Sequence, residues 1–359
     1  DASVEKCINI IVGADSVMIE HNYHEAMLYE KLEGGTVQCH LCAHECVIKP
    51  GQSGICQVRK NIDGKLVSLN YDAVVAVNID PIEKKPLFHF LPGSTSLSVA
   101  AAGCNFQCPF CQNWEISQSP RDGRIIGGQS VPPKQLIAIA RARRCKSISY
   151  TYTEPTVFFE LCYETAKLAH ESGIKNCFVS NGYMTPIAVR TIAPYLDAIN
   201  VDLKAFRDET YRNVMKARLE PVLTCLKELL AAGVWVEVTT LVVPRMNDSK
   251  EELTDIANFI ANELGTDVPW HVSRFHGDYK MTDAPPTPME KLYEAMEIGK
   301  RAGLKYIYCG NVPPNDYENT FCPNCHTRLI RRMGFAVIEN ILADGKCPNC
   351  STEIAGIWQ

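Results

Sequence analysis

The sequence predicts an α/β protein with a parallel sheet, carrying a small cysteine-rich metal-binding module at each end. Three observations support this: strand-length apolar runs alternate with helical patterns, polar residues follow those runs, and most cysteines fall into three groups. At 359 residues the chain can form one large domain with small appendages. We divide it into a lead-in (1–38), a cysteine-rich module with a β-rich segment (39–92), the α/β core (93–312) and a C-terminal module (313–359).

Apolar runs and helical patterns alternate regularly through the core. The runs lie at 97–102, 147–152, 176–180, 198–203, 235–243, 270–275 and 305–309. Helical patterns begin at Pro132, Pro155, Pro186, Arg207, Ser249 and Pro288. A further helix is predicted in the lead-in at 24–33, before Gly34 and Gly35. Alternation of this kind is typical of a parallel sheet, either open or closed into a barrel.

The composition argues against several classes of partner. The chain has 36 basic and 41 acidic residues, a net charge of −5 and no basic tract, so we expect no nucleic-acid partner. No apolar run approaches the roughly 20 residues that span a bilayer, so we expect no membrane partner. The grouping of the seventeen cysteines indicates metal binding rather than disulfides, and hence a reducing, anaerobic cytoplasm. A chain that starts at Asp1 is also compatible with a processed or exported form.

The central cysteines, Cys104, Cys108 and Cys111, have the spacing C-x3-C-x2-C directly after the first run. Thiolates at such spacing select iron–sulfur clusters, zinc or copper(I). A structural zinc site or an ordinary ferredoxin cluster needs four ligands, whereas three thiolates on a four-iron cube leave one iron open. The loop therefore predicts a [4Fe-4S] cluster with a ligand from outside the protein. The alternative is a plain metal-binding loop.

Polar side chains follow the other predicted strands. In α/β barrels the chemistry gathers at the carboxyl ends of the strands, so these residues are candidates for binding. The candidates are Glu154, Asn181, Asp202, Lys204 and His276.

The three-cysteine loop, with Phe110 just before its last cysteine, closely resembles that of the radical S-adenosylmethionine (SAM) superfamily. The resemblance implies a partial (βα)6 TIM-like barrel whose open iron binds the amino and carboxylate groups of SAM. It implies an enzyme that reductively cleaves SAM to a 5′-deoxyadenosyl radical, which abstracts hydrogen from a protein or small-molecule substrate. It also implies an electron donor such as ferredoxin or flavodoxin.

Asp202-Leu-Lys204, the stretch 242–248 and His276 resemble motifs of the pyruvate formate-lyase activating enzymes. In that group the Asp-x-Lys pair and the histidine lie in the SAM site. The chemistry of SAM suggests that Glu154 accepts from the amino group, that Lys204 pairs with the carboxylate, and that Asn181 or Asp202 bonds the ribose. The family's Gly-Gly-Glu-Pro is here Tyr-Thr-Glu-Pro at 152–155, so the glycines' backbone contacts are not carried over. No catalytic residue is assigned.

Two four-cysteine groups flank the core. The C-terminal group resembles a zinc ribbon or rubredoxin and predicts zinc or a mononuclear iron, although His326 and Ser351 stand where glycine is common. The N-terminal group, which has flexible glycines before its last cysteine, suits zinc or an auxiliary iron–sulfur cluster. The two groups are Cys322, Cys325, Cys347 and Cys350, and Cys39, Cys42, Cys46 and Cys56.

A wider resemblance covers nearly the whole chain. The segments 39–46, 104–114, 273–276 and 318–325 look like those of the radical SAM member of the AmmeMemoRadiSam system. That system is named for its genomic association with the Memo and Ammecr families, whose proteins the resemblance suggests as partners. The competing hypothesis is an iron–sulfur electron carrier or metal-stapled partner-binding protein without SAM turnover. It predicts four ligands at every cluster and no need for the polar strand ends.

Overall fold

The computed structural model describes residues 23–123 and 127–359, so that residues 1–22 of the predicted lead-in, with Cys7, lie outside this part. Between residues 23 and 68 the chain forms two small antiparallel sheets. Their strands are β1 (His24–Glu25), β2 (Tyr29–Lys31), β3 (Val37–Cys39), β4 (Val47–Ile48), β5 (Arg59–Ile62) and β6 (Lys65–Ser68). One sheet has the order β1-β6-β5 and the other the order β2-β3-β4. The first three cysteines of the N-terminal group thus lie on β3 and in the loop between β3 and β4.

The helix predicted at 24–33 is wrong. His24 of β1 pairs with Ser68 of β6, and Tyr29 of β2 pairs with Cys39 of β3. Leu28, between the two strands, has a φ of 53°, which a helix does not allow. The strands that pair with β1 and β2 are remote in sequence. Their pairing outweighs the local helical propensity of this segment.

The core sheet contains nine strands within the described part of the chain, in the order β15-β14-β13-β12-β11-β10-β8-β7-β9. Strands β8 and β10 to β15 are parallel, while β7 and β9 are antiparallel at one edge. The strands are β7 (Ala73–Pro81), β8 (Thr95–Ala101), β9 (Gln129–Ser130), β10 (Ser147–Tyr150), β11 (Lys175–Ser180), β12 (Ala198–Asp202), β13 (Trp235–Val242), β14 (Trp270–Arg274) and β15 (Ile307–Gly310). Every run that was predicted as a strand of the core is confirmed as one of the parallel strands. Strand β7, from the predicted β-rich segment, adds an edge to this sheet.

Helices connect the parallel strands. They are α1 (Trp114–Ser117), α2 (Pro133–Ala142), α3 (Phe159–Glu171), α4 (Pro186–Ile192), α5 (Asp208–Thr210), α6 (Leu219–Ala231), α7 (Lys250–Phe259) and α8 (Met289–Arg301). The start predicted at Ser249 is confirmed by its side chain, which caps α7 by accepting from the Glu252 amide at 3.1 Å. The helix predicted from Arg207 is interrupted. After α5 and a π-helical turn, Lys216 takes a φ of 60° and ends the segment before α6 begins.

The segment between β7 and β8 closes the amino ends of the parallel strands. Glu237 of β13 accepts hydrogen bonds from the amides of Phe88 and His89, at 3.0 and 2.8 Å, and from His271 Nε2 at 2.7 Å. His89 Nδ1 donates to the carbonyl oxygen of Ala355 at 2.6 Å, and its Nε2 accepts from the Tyr308 hydroxyl at 2.6 Å. This buried polar network ties the core to the C-terminal residues.

Because His89 is buried as a neutral ring, folding should weaken in acid. Burial lowers the pKa of His89 to about 4 from its ordinary value of 6.5. Between pH 6.5 and pH 4 this histidine is protonated in the unfolded chain but neutral in the folded protein. The free energy of unfolding therefore falls as the pH falls. From pH 7 to pH 5 we expect a loss of about 2 kcal/mol, measured by urea unfolding. The His89→Phe variant, which does not titrate, should show a smaller loss over the same interval; an equal loss would contradict the assignment.

The C-terminal module is a small antiparallel sheet of β16 (Thr320–Phe321), β17 (Arg328–Met333) and β18 (Ala336–Asn340). Arg332 of β17 is buried and donates to the Phe88 carbonyl oxygen at 2.7 Å and to Thr320 Oγ1 at 2.9 Å. Its guanidinium also lies over the Phe88 ring, 4.3 Å from the centroid. The module is therefore docked on the core rather than tethered to it. Among the described residues, no helix combines the length and the apolar character needed to cross a bilayer.

Candidate active site

A cavity of about 510 Å³ opens at the carboxyl ends of the parallel strands. Parallel α/β folds place their binding sites at this end of the sheet. Residues of the cysteine loop and of the neighbouring strand ends share its lining. Of the residues predicted for the site, it is lined by Cys104, Cys108, Cys111, Glu154, Asn181, Asp202 and Lys204. The structure thus brings together, in one cavity, side chains that are up to 100 positions apart in the sequence.

The cysteine loop is held in place by contacts from outside it. Arg121 donates to the carbonyl oxygens of Cys104 and Phe106, at 2.6 and 3.1 Å. The buried ring of Phe106 packs edge-on against Tyr183, with the centroids 5.1 Å apart. Gly103, directly before the loop, has a φ of 111°, and a Cβ there would lie 2.8 Å from Val58 Cγ1, so only glycine fits.

The donor set of the loop fits a four-iron cluster with one open position. Cys104, Cys108 and Cys111 line the cavity, and no fourth cysteine does so among the residues that the structure describes. The Cys111 thiol lies 3.3 Å from the Ser117 hydroxyl, and the Phe106 amide donates to Cys104 Sγ at 3.4 Å. Burial raises the pKa of the Cys108 thiol to about 12, so a metal has to displace its proton. Three thiols around one open space suit a cluster better than a single ion.

Glu154 is buried at the end of β10 and already has hydrogen-bond partners. Its Oε1 accepts from the Thr156 amide and hydroxyl at 3.0 and 2.5 Å and from the Ser180 hydroxyl at 2.8 Å. Its Oε2 accepts from the Asn181 amide alone, at 2.8 Å. Burial raises the pKa of Glu154, in opposition to these donors. Because a carboxylate oxygen has two lone pairs, Oε2 keeps the capacity to accept one more donor.

Asp202, the last residue of β12, forms an ion pair with Lys204 just after the strand, with Lys204 Nζ 2.8 Å from Asp202 Oδ2. Burial by itself disfavours the charged lysine, but the charge of Asp202 raises the pKa of Lys204 above its usual range. Asn247, from the stretch 242–248, donates to the Lys204 carbonyl oxygen at 2.7 Å. Its own Oδ1 accepts from the Val243 amide at 2.6 Å. This stretch therefore fixes the backbone that carries Lys204.

Asn181 and His276 lie in different surroundings. Asn181 Nδ2 donates to the side-chain oxygen of Asn105, within the cysteine loop, at 2.7 Å. His276 is exposed and does not line the cavity, but its Nε2 accepts from Gln112 Nε2 at 2.8 Å. Since Gln112 lines the cavity beside Cys111, His276 lies at its rim.

Sequence reasoning missed a second polar group in the cavity. Lys85 is 2% exposed, and its Nζ donates to Asp80 Oδ2 at 2.7 Å. Tyr152 donates its hydroxyl to the same Asp80 oxygen, and Lys85 Nζ lies 4.5 Å from the centre of the Tyr152 ring. Although burial opposes its charge, the lysine beside it lowers the pKa of Asp80. Asp80 and Lys85 belong to no motif, and the only signal in the sequence was that each charged residue directly precedes a proline.

Tyr152 stands where the motif that the sequence resembles has glycine, and its backbone is one that glycine favours. Its φ is 66°, in the left-handed region that glycine favours. Such a conformation costs a non-glycine residue about 1–2 kcal/mol, which the contacts with Asp80 and Lys85 help to offset. This position therefore differs from the glycine of the resembled motif in its side chain, but it keeps a backbone conformation that glycine favours.

The C-terminal cysteines form a compact group. All four Sγ atoms lie within 4.8 Å of one another, with 3.5 Å between Cys322 and Cys350 and 3.6 Å between Cys325 and Cys347. The two tight turns are made without glycine, because His326 and Ser351 take φ values of 57° and 60°. The hydroxyl of Thr327 lowers the pKa of Cys325 to about 5, so this thiol is ready to bind a metal. The hairpin between β17 and β18 also reaches the active-site cavity, where Phe335 forms part of the wall.

The N-terminal cysteines surround a separate, smaller cavity. Cys39, Cys42, Cys46 and Cys56 all line it, together with Arg59. Their sulfur atoms are more widely spaced than those of the C-terminal group, which is the only group compact enough for a single ion in residues 23–123 and 127–359.

The chain is similar in sequence to several known proteins. The sequence profile of the Radical SAM superfamily matches residues 99–260. An uncharacterized protein of Methanocaldococcus jannaschii is 47% identical over 332 residues, which are 92% of this chain and 98% of that protein. The pyruvate formate-lyase-activating enzyme of Clostridium pasteurianum is 25% identical over 57% of this chain and 87% of that enzyme. The crystal structure of a radical SAM methyltransferase from Sphaerobacter thermophilus superposes with a TM-score of 0.49 and 15% identity, over 61% of this chain and 67% of that one. The chain thus contains a radical SAM domain and is homologous to pyruvate formate-lyase activating enzymes.

Proposed function

We propose that this protein reductively cleaves SAM at a [4Fe-4S] cluster held by Cys104, Cys108 and Cys111. The observation that carries the proposal is the shared cavity, in which the three thiols face polar groups suited to a zwitterionic nucleoside. When bound, the cluster and SAM would supply a 5′-deoxyadenosyl radical for hydrogen abstraction from a substrate. The protein itself has to hold SAM, orient it and keep water away from the reacting atoms.

Side chains of different charge would bind different groups of SAM. Glu154 Oε2, which has one donor and is fixed in position, would accept from the amino group of SAM. Lys204 would pair with the carboxylate, and its proton is secured by Asp202. Asn181 or Asp202 would bond the ribose, and His276 would contact SAM only at the rim of the cavity. Phe335 and the buried Lys85 lie on the remaining wall, where a substrate would be excluded from solvent.

We further propose a protein substrate, because the relatives include activating enzymes of glycyl radical proteins. Ferredoxin or flavodoxin would serve as electron donor in a reducing, anaerobic cytoplasm. Proteins of the Memo and Ammecr families are candidate partners if the chain is the radical SAM member of the AmmeMemoRadiSam system. Spin-resonance spectroscopy of co-purified partners, after reaction, would detect a stable glycyl radical. A modified small molecule or peptide without such a signal would instead favour the other substrate class.

The test of the proposed function uses the whole protein, reconstituted with iron and sulfide without oxygen. Dithionite and SAM are added, and 5′-deoxyadenosine is measured by chromatography. We expect its formation, and we expect SAM to change the spin-resonance spectrum of the reduced cluster. A cluster-replete protein that gives neither result would instead be an electron carrier or a metal-stapled binding protein.

We propose zinc as the metal of the C-terminal group, because four mutually close thiols match a single tetrahedral ion with Zn–S bonds of about 2.3 Å. A mononuclear iron is the alternative. Replacing Cys350 with serine should release one zinc per chain and increase hydrogen exchange in residues 320–359, since metal binding stabilises so small a module. The control is Cys145→Ser, a buried cysteine outside all three groups, which should keep the zinc. Unchanged zinc content in Cys350→Ser would contradict the assignment.

A further inference from the structure

The N-terminal cysteine cavity is closed and largely apolar. Its four cysteines come from β3, the loop after it and the turn before β5, and Leu41, Ile48 and Val157 complete the wall. Cys39 and Cys56 are buried, while Cys42 and Cys46 are partly buried. Four thiols that converge on one enclosed space form a ligand set, because isolated buried cysteines do not share a cavity.

The N-terminal thiols do not have the close spacing seen at the C-terminus. A tetrahedral ion with Zn–S bonds of about 2.3 Å draws its sulfur atoms to within about 4 Å of one another. The C-terminal group meets this condition, with Sγ separations of 3.5 and 3.6 Å. In the part of the chain that the structure describes, no three of the N-terminal thiols are close enough to qualify.

The central cysteine loop provides an internal reference. Cys104, Cys108 and Cys111 also fail the condition for a single ion, although they face one cavity. Thiolates on a cluster of several irons bind different irons, and so they stand further apart than thiolates on one ion. The N-terminal group therefore resembles the central loop, and differs from the C-terminal group, in that its thiols are not spaced for a single ion. The inference depends on the proposed function only for this comparison.

Arg59 provides a second, independent observation. It lines the N-terminal cavity and is 2% exposed. Its Nη1 pairs with Glu160 at 2.8 Å and its Nη2 donates to the Met27 carbonyl oxygen at 2.6 Å, but its Nε has no hydrogen-bond partner among the described residues. A buried N–H without an acceptor costs about 1–3 kcal/mol. A negatively charged sulfur-rich group in the cavity would satisfy it.

We propose that Cys39, Cys42, Cys46 and Cys56 are the four ligands of a second iron–sulfur cluster, and that Arg59 Nε donates a hydrogen bond to it. Four protein ligands leave no iron open, so this site binds no SAM. The guanidinium offsets part of the negative charge that four thiolates bring into an apolar cavity. Glu160, in turn, keeps Arg59 in place from helix α3 of the core.

The second site lies against the central loop. One guanidinium nitrogen of Arg121 donates both to the Ile55 carbonyl oxygen, next to Cys56, and to the Cys104 carbonyl oxygen, at 3.0 and 2.6 Å. His44 Nε2 donates to the Asn105 carbonyl oxygen at 2.9 Å. Each bond joins the N-terminal cysteine segment to the loop of Cys104. The two clusters would thus be neighbours within one rigid unit.

The primary test removes the central cluster. The variant Cys104→Ala/Cys108→Ala/Cys111→Ala is purified without oxygen, and iron, sulfide and zinc are measured. For a four-iron cluster we expect about four irons and four sulfides to remain per chain, together with the C-terminal metal. Adding Cys39→Ala and Cys56→Ala should remove this iron, whereas adding Cys162→Ala and Cys225→Ala, two buried cysteines outside the groups, should not. Zinc in place of iron, or no metal at the N-terminal site, would overturn the proposal.

The wild-type protein gives a second measurement that does not depend on the variant's folding. About eight irons per chain support two four-iron clusters, whereas about four irons with two zincs contradict the second cluster. The result is separable from the proposed function. A chain that holds the N-terminal cluster but forms no 5′-deoxyadenosine would disprove only SAM cleavage.

Arg59→Lys tests the contact with the cluster in the triple alanine background. Lysine keeps the charge opposite Glu160 but lacks Nε, and hydrogen bonds to the sulfurs of a cluster raise its reduction potential. We expect unchanged iron content and a shift of the reduction potential to a more negative value. An unchanged potential would show that Arg59 is only a structural partner of Glu160.

Discussion

Replacement of Cys108 by alanine is expected to reduce the formation of 5′-deoxyadenosine by more than about 100-fold, because loss of a partner outside the ligand set alone costs 10–100-fold at a metal site. Cys108 is one of three thiols in the active-site cavity, and no described residue there offers a replacement thiol. Two ligands would leave the cluster poorly held in the cavity that it shares with Glu154 and Lys204. The measurement is chromatography of the products after reaction with dithionite and SAM.

The matched control for this variant is Cys145→Ala. Cys145 is buried between α2 and β10 and does not line the cavity. We expect it to keep its iron and its rate, with at most a modest loss of stability from the smaller side chain. Full activity of Cys108→Ala, with iron retained, would show that the central loop is not the site of the reaction.

Replacement of Arg332 by methionine is expected to destabilise the protein by about 3–5 kcal/mol, the usual cost of removing one partner from a buried ion pair. Arg332 Nε lies 3.6 Å from Glu83 Oε1, and both side chains are fully buried. The variant would also leave the Phe88 carbonyl oxygen and Thr320 Oγ1 without a donor. Chemical unfolding of the metal-loaded protein measures the loss.

The double variant Glu83→Gln/Arg332→Met isolates the charge. Burial already raises the pKa of Glu83, and loss of the arginine removes what opposes that rise. The single variant should therefore be least stable at high pH and recover as the pH falls and Glu83 takes up a proton. The double variant should be more stable than Arg332→Met at high pH. Arg331→Met, on the exposed neighbouring position, should change stability by no more than about 0.5 kcal/mol; equal effects at the two positions would contradict the argument.

The core was predictable because its signals are local. Buried parallel strands read as continuous apolar runs, and prolines or Ser249 mark the helix starts, so neither depends on remote partners. The prediction of a helix at 24–33 was wrong for the opposite reason. His24 and Tyr29 are held in strands by Ser68 and Cys39, and nothing within 24–33 reveals those partners. The contribution of β7 to the core sheet was invisible for the same reason.

In the site, too, local features could be predicted from the sequence and contacts between remote segments could not. The spacing of the cysteines and the polar residues after the strands predicted one shared site. The carboxyl ends of parallel strands lie at the same end of the sheet, so residues that follow them lie close together. Sequence did not reveal that Lys85, which pairs with Asp80 of β7, reaches the cavity from the segment that closes the other end of the sheet. Neither did it show that Phe335, from the C-terminal module, stands in the wall. Such contacts depend on how separate elements dock.

The position of Phe335 has a consequence for biosynthesis. The ribosome releases a chain from its amino end, so the N-terminal cysteines and the loop of Cys104 emerge long before the hairpin that carries Phe335. A nascent or truncated chain would therefore have its cluster-binding loop in a cavity that still lacks one wall. Docking of this later segment on the core, through Arg332, completes the wall of the cavity. Phe335 is therefore the last residue of the cavity lining to be synthesised.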